Sequence, residues 1–166
     1  MVSLVVHAVL GLVVIWFAVY SNSQIFSRPL DGPRFSTLEV VYYVVGIASI
    51  AVGYYFNTQF VAEYATASSN PIWGPGSWQE FIQLGYVNPA AASVSQDYTI
   101  INLILLPLFT IVDGRRRGIR RPWIFFVSSL FTSCAFAYAF YFATIERQRR
   151  HDLAWTDGEA GGIGGT

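Results

Sequence analysis

The chain has 166 residues, of which 54% are hydrophobic and only 12% charged, far below the roughly 25% charged residues of a soluble domain. Ten basic and ten acidic residues cancel, so the positive footprint of a nucleic-acid binder is missing, and a single cysteine excludes an intramolecular disulfide or a thiolate metal cluster. What remains is a small all-α membrane protein with no length left for a catalytic domain in water.

Four stretches, residues 2–20, 40–61, 90–112 and 122–145, are apolar and nearly free of charge. Each is close to the ~20 residues an α-helix needs to cross a bilayer, so four transmembrane helices are expected in a unit spanning 1–151. The first lacks the basic n-region of a secretory signal and is read as a retained helix. Its His7 is read as a hydrogen-bonded packing residue, because His151 near the other end of the chain makes no ligand set with it by spacing.

The second helix opens on Ser36-Thr37-Leu38-Glu39, a capping-box pattern. Gly46, Ser49 and Gly53 then give it a small-residue face suited to close helix packing. The connection 62–89 carries the breakers Asn70-Pro71 and Gly74-Pro75-Gly76. A second capping pattern follows, Ser77-Trp78-Gln79-Glu80, and Trp78, Phe81 and Ile82 share one helical face. A short amphipathic helix at the membrane interface is expected there, with Trp73 and Trp78 at headgroup depth.

In the third helix Asp97 is read as the N-terminal cap of a helix that starts late. The other reading starts the helix near Pro89 and places this acid ~10 Å inside it, where an ionisable group is a functional candidate. Asn57, Gln59 and Asn102 are candidates to join it in a polar cluster. Pro107 is expected to kink the helix near Leu103.

The following loop, 113–121, holds Arg115, Arg116, Arg117, Arg120 and Arg121, with Gly114 and Gly118 allowing a tight turn. Each guanidinium gains ~1 kcal/mol against an anionic leaflet, so lipid headgroup contact, then partner docking, are its expected roles. In the fourth helix Ser129, Ser133 and Ala137 form one small-residue row and Ala135, Ala139 and Ala143 another. Both are candidate faces for helix packing or for a partner protein. The Gly-rich segment 152–166 reads as a flexible tail.

All ten basic residues are arginine, a bias that suggests a GC-rich genome, and the expected location is a bacterial plasma (inner) membrane. With four helices both termini share a side. Seven arginines fall in the first and third loops and three, Arg147, Arg149 and Arg150, after the last helix. The positive-inside rule then favours a cytoplasmic 113–121 loop and external termini.

From the second helix to Arg150 the chain resembles the integral membrane proteins of domain-of-unknown-function family 2834. The ordered landmarks are Trp78 to Leu84 leading to Asn88-Pro89, Asp97, Asp113-Gly114-Arg115-Arg116, Gly118, Arg120-Arg121, Trp123, and an aromatic-rich helix closing at Glu146-Arg147. The acid before Gly-Arg-Arg is commonly glutamate in that family and is Asp113 here. The resemblance implies a membrane fold with these landmarks and no reaction.

No phosphate-binding Gly-rich loop, His-Glu-x-x-His or Gly-x-Ser-x-Gly occurs, so neither enzyme activity nor a cofactor is expected. The expected function is an accessory subunit of a larger plasma-membrane complex, with lipids and other membrane subunits as partners and lipid or another hydrophobic substrate as cargo. The alternative is a self-contained oligomeric carrier or channel that uses Asp97.

Overall fold

The computed structural model describes residues 2–27, 33–66, 70 and 72–162. All regular structure among these residues is helical. Helix α1 (Val2–Ser21) is followed by the short α2 (Ser23–Phe26), then by α3 (Thr37–Tyr64) and a small α4 (Trp78–Leu84). Helix α5 (Pro89–Ile100) continues through a π-helical turn (Ile101–Leu105) into α6 (Leu106–Arg116). Three segments are long and apolar enough to cross a membrane: Leu4–Ser21, Thr37–Tyr64 and Pro89–Arg116.

Local chemistry sets these boundaries. At the start of α3, Ser36 Oγ accepts the Glu39 N–H at 3.1 Å while the Glu39 carboxylate accepts the Ser36 N–H at 2.8 Å, a complete capping box. At α4 the Ser77 hydroxyl accepts the Glu80 N–H at 3.3 Å, but the Glu80 carboxylate takes the Gly76 N–H at 2.7 Å instead of that of its own cap. Helix α5 begins at Pro89, with Asn88 accepting the Ala91 N–H at 3.0 Å. Asp97 is therefore no cap; it lies eight residues inside a helix that starts early. Pro107 cannot donate to the carbonyl one turn before it, and the ladder answers with the π-helical turn that ends two residues earlier.

The fourth apolar stretch is not one helix. It is divided into α7 (Trp123–Ser129) and α8 (Cys134–Gly162) by a turn at residues 130–133. Hydroxyls support the break. Ser128 donates to the Phe125 carbonyl at 2.6 Å and Ser129 to that of Phe126 at 2.8 Å. Thr132 donates to the Ser128 carbonyl at 2.7 Å, and Ser133 accepts the Phe136 N–H at 2.9 Å, capping α8. Irregular backbone at membrane depth persists only where protein buries it or a cavity receives it. Here Ser133 Oγ lies 2.7 Å from Ser49 Oγ of α3.

The two halves form a hairpin that begins and ends at one end of the bundle. Ahead of α7, the Arg120 N–H and carbonyl are held by the Asn22 side chain at 2.7 and 3.0 Å. Near the end of the apolar part of α8, Gln148 donates to the Arg117 carbonyl at 2.7 Å. Arg147 donates to Ile25 O at 3.0 Å, Ser27 O at 2.9 Å and Glu39 Oε1 at 2.8 Å. At the hairpin tip, a Cβ on Gly11 would meet Phe131 O at 3.2 Å. Gly11 precedes Asn22 by eleven residues, about 16 Å of helix, so the tip reaches roughly the middle of a ~30 Å hydrocarbon layer.

The stretch expected as a fourth crossing helix over residues 122–145 is thus two helices that fold back, and three segments are left among the described residues that are long and apolar enough to cross. With three candidate crossings and a returning hairpin, Val2 and Arg149 lie at opposite ends of the bundle. Arg34, Arg115, Arg116, Arg117, Arg120, Arg121, Arg147, Arg149 and Arg150, every arginine among the described residues, then gather at a single end; Arg28 lies outside the described residues. The segment expected as a flexible tail continues α8 as far as Gly162, and 163–166 lie outside the described residues.

The core is built around α8. Phe125, Phe136, Phe140 and Tyr141 are buried with Ala18 and Ile25. Helix α3 runs along α8 closely enough that a Cβ on Gly46 would meet Phe136 Cδ2 at 3.1 Å and Ala139 Cβ at 3.3 Å. The buried Glu39–Arg147 pair closes the end of this contact, with the two side chains 0% and 3% exposed.

Two measurements check this arrangement. Glu39→Ala strands a buried guanidinium and is expected to cost about 3–5 kcal/mol, read as a lowered thermal unfolding midpoint of the detergent-solubilised protein. In a Cys134→Ser background, cysteines at Arg116 and Arg149 should share one accessibility to a membrane-impermeant maleimide and one at Gln79 the opposite; four crossings would instead pair position 149 with 79.

Candidate functional site: a cavity above the hairpin tip

Because α7 and α8 turn back at mid-depth, the half of the bundle beyond them lacks a fourth helix. A cavity of about 250 Å³ occupies that space. Its floor is the turn itself, Ser129 to Ser133; α3 supplies Gly53, Tyr54, Asn57 and Phe60 on one side, α1 gives Leu4 and His7, α4 and its cap give Ser77, Trp78 and Phe81, and α5 contributes Tyr98.

The lining is apolar and aromatic with a few polar groups. Trp78 Nε1 donates to His7 Nε2 at 2.9 Å, and the two rings stack with centroids 5.8 Å apart. His7 is thus engaged as a hydrogen-bonding and packing residue, as its place on an apolar helix suggests. Phe60 packs edge-on against Phe81 at 5.3 Å, tying α4 down over α3. The Tyr54 hydroxyl is buried with no hydrogen-bond partner among the described residues. Such an oxygen is costly to leave unsatisfied. Among the described residues, no arginine, aspartate or glutamate lines the cavity.

The small-residue positions divide between two roles. Gly46 and Ser49 pack on α8. Gly53, expected to continue the same packing face, has no atom within 4 Å of an added Cβ and opens on the cavity. Ser129 and Ser133 flank the turn and so do not continue into a helical row with Ala137, which is buried beside Leu106 and Cys134. Ala139 and Ala143 are in the core, whereas Ala135 is exposed.

Nor does the expected polar cluster assemble. Asn57 lines the cavity, Gln59 is exposed, and Asn102 is buried with its amide 3.3 Å from the Tyr98 hydroxyl. Asp97 is exposed, does not line the cavity, and makes no hydrogen bond or ion pair with another described residue. It projects from a helix that stands off from the bundle. The side-chain ties of α5 outside its own span are Ser95 to the Gly85 carbonyl at 2.7 Å, Thr99 to the Tyr86 hydroxyl at 2.9 Å and Tyr98 to Asn102.

At the opposite end, the arginine loop is more ordered than a free turn. Asp113 to Arg116 form the last turn of α6, where cations suit the helix dipole. Asp113 accepts from Arg117 at 2.7 Å and from the Tyr141 hydroxyl at 2.9 Å. Gly114 is a packing residue, since a Cβ there would lie 2.5 Å from Pro122 Cβ; the turn belongs to Gly118, at φ +71°. Arg121 covers the Phe17 ring at 4.9 Å, while Arg115, Arg116 and Arg120 present exposed side chains.

Sequence reasoning did not single out Tyr54, Phe60, Tyr98 or Thr132 as cavity residues. The signal that could have found the turn is the run Ser128-Ser129-Leu130-Phe131-Thr132-Ser133, four hydroxyls in the middle of an apolar stretch. Read as a packing row, it hides the bend that its side-chain hydrogen bonds support.

No curated protein matches the chain, and no solved structure does. One family model does, over residues 41–147, from the second apolar helix through the buried Arg147. That match takes in more than half of the chain, including α3, α4, the third crossing and the apolar part of the hairpin. The chain belongs to the family described as proteins of unknown function DUF2834.

Proposed function

We propose that this protein is a non-enzymatic accessory subunit of a larger plasma-membrane complex. The observation that carries the reading is Asp97. It lies eight residues into α5, about 12 Å along the axis, on an exposed face of a helix that is loosely tied to its own bundle. A carboxylate facing hydrocarbon costs up to about 2.5–3.5 kcal/mol by insertion scales, the value at a helix centre several residues beyond Asp97, and such groups normally meet a partner. The half of the molecule that holds Asp97 also holds Glu63 and Glu80 and no arginine among the described residues. A second copy in the same orientation would bring another acid to that depth and no guanidinium. A transmembrane helix of a different protein, carrying a basic or amide side chain there, satisfies the site.

The cargo we assign to that complex is lipid or another hydrophobic substrate, supported by the apolar, aromatic lining of the cavity. The gathering of arginines favours an orientation with that end and the C-terminal segment in the cytoplasm and the start of α1 outside. In that orientation α4 lies at the outer interface, with exposed Trp73 and Trp78 at headgroup depth. A self-contained carrier using Asp97 is less well supported, since Asp97 is outside the cavity and would need a second copy to enclose a path.

Tagging the chromosomal copy and extracting it in a mild detergent tests this. A stoichiometric hetero-complex is expected, and Asp97→Leu should release the subunit as a folded monomer with normal expression. A lone chain would overturn the subunit reading, and a homo-oligomer would transfer Asp97 to the carrier.

A further inference from the structure

The cavity above the hairpin tip has the size and chemistry of a binding site for a specific class of molecule. We infer that it takes the oxygen-bearing end of an uncharged single-chain lipid, such as a long-chain alcohol, with the Tyr54 hydroxyl as its polar contact. Three observations converge on this.

The first is volume. An apolar cavity of about 150 Å³ holds benzene, so the roughly 250 Å³ here has room for on the order of a dozen non-hydrogen atoms. That suits one end of a lipid chain and not a two-chain lipid with its headgroup. The second is charge. Among the described residues the cavity is lined by no arginine or carboxylate, its His7 already accepts from Trp78 through Nε2, and the described arginines lie beyond the hairpin, at the other end of the bundle. A phosphate or carboxylate would be desolvated there without a counterion, whereas a hydroxyl or carbonyl would not be penalised in this way. The third is the Tyr54 hydroxyl, a buried donor and acceptor without a partner among the described residues. A ligand hydroxyl can both accept from it and donate to it. Open space beside Gly53 lets a chain lie along α3, and on the α5 side Tyr98 contributes to the wall.

This inference rests on the hydrophobic-cargo part of the proposed function, and the isolated full-length chain tests it without any partner. Trp78 lines the cavity and serves as reporter once Trp16, Trp73, Trp123 and Trp155 are replaced by Phe. The protein in phosphatidylcholine nanodiscs would be titrated with 2-bromohexadecanol, whose bromine quenches nearby indole. Quenching should saturate, be displaced by hexadecanol, and be at least tenfold weaker with ionised 2-bromohexadecanoate. Gly53→Leu fills the cavity from a position with free space and improves helix propensity, so a folded protein without saturable quenching is expected. Tyr54→Phe should weaken binding about three- to tenfold, the range of one lost hydrogen bond. Quenching that rises linearly without a plateau, or that is unchanged in Gly53→Leu, overturns the site. Equal binding of the carboxylate, or an unaffected Tyr54→Phe, overturns its assignment to neutral lipids.

Discussion

The Arg147 guanidinium is where the shape of this molecule is decided. It is almost fully buried and donates to the carbonyls of Ile25, Ser27 and Arg34 as well as to the Glu39 carboxylate. Five donors in a rigid fork satisfy the end of α2, the segment before α3 and the first turn of α3 together. The Phe35 ring adds a face 5.3 Å from the guanidinium carbon. Glu39 also caps its own helix, so one carboxylate fixes the α3 terminus and the return point of α8. With α8 held there, a hairpin with α7 as its other arm must turn inside the membrane, and the hydroxyls at 128–133 make that turn tolerable.

A turn at mid-depth divides the bundle into unlike halves. On the arginine side there are helices α1, α3, α6, α7 and α8, tightly packed through aromatic rings and small residues. On the other side α1, α3 and α5 remain, roofed by α4 through the Trp78–His7 and Phe81–Phe60 contacts. Fewer helices enclosing the same cross-section leave a cavity and leave α5 loosely held. The cavity and the exposed Asp97 are thus two results of one topological fact.

Much of this was legible in the sequence. Apolar runs locate the three candidate crossings, the Ser-x-x-Glu patterns locate the starts of α3 and α4, and Pro107 announces the irregularity just before it. The small residues at Gly46 and Ser49 mark the face that meets α8. What sequence pattern does not convey is direction. A stretch of 24 apolar residues, 122–145, satisfies the length criterion for crossing whether it crosses or folds back. The decision rests on contacts far apart in the chain, Asn22 with Arg120, Glu39 with Arg147 and Gln148 with Arg117. For the same reason Gly53 resembles Gly46 in sequence spacing yet borders a space, because the helix that packs on one has already turned away from the other. Asp97 was misread as a cap because Asn88 does that work two turns earlier.

The hairpin also bears on how the chain is made. Its apolar stretch is bracketed by Arg120 and Arg121 on one flank and Arg147, Arg149 and Arg150 on the other. An insertion machinery that resists translocating arginine therefore meets a hydrophobic segment with both ends held back. A bent loop keeps both flanks on one side, and the serines near its midpoint give the bend somewhere to form. In the proposed orientation, with this end in the cytoplasm, the flanking arginines would favour such a loop over a fourth crossing before any of the buried contacts exist.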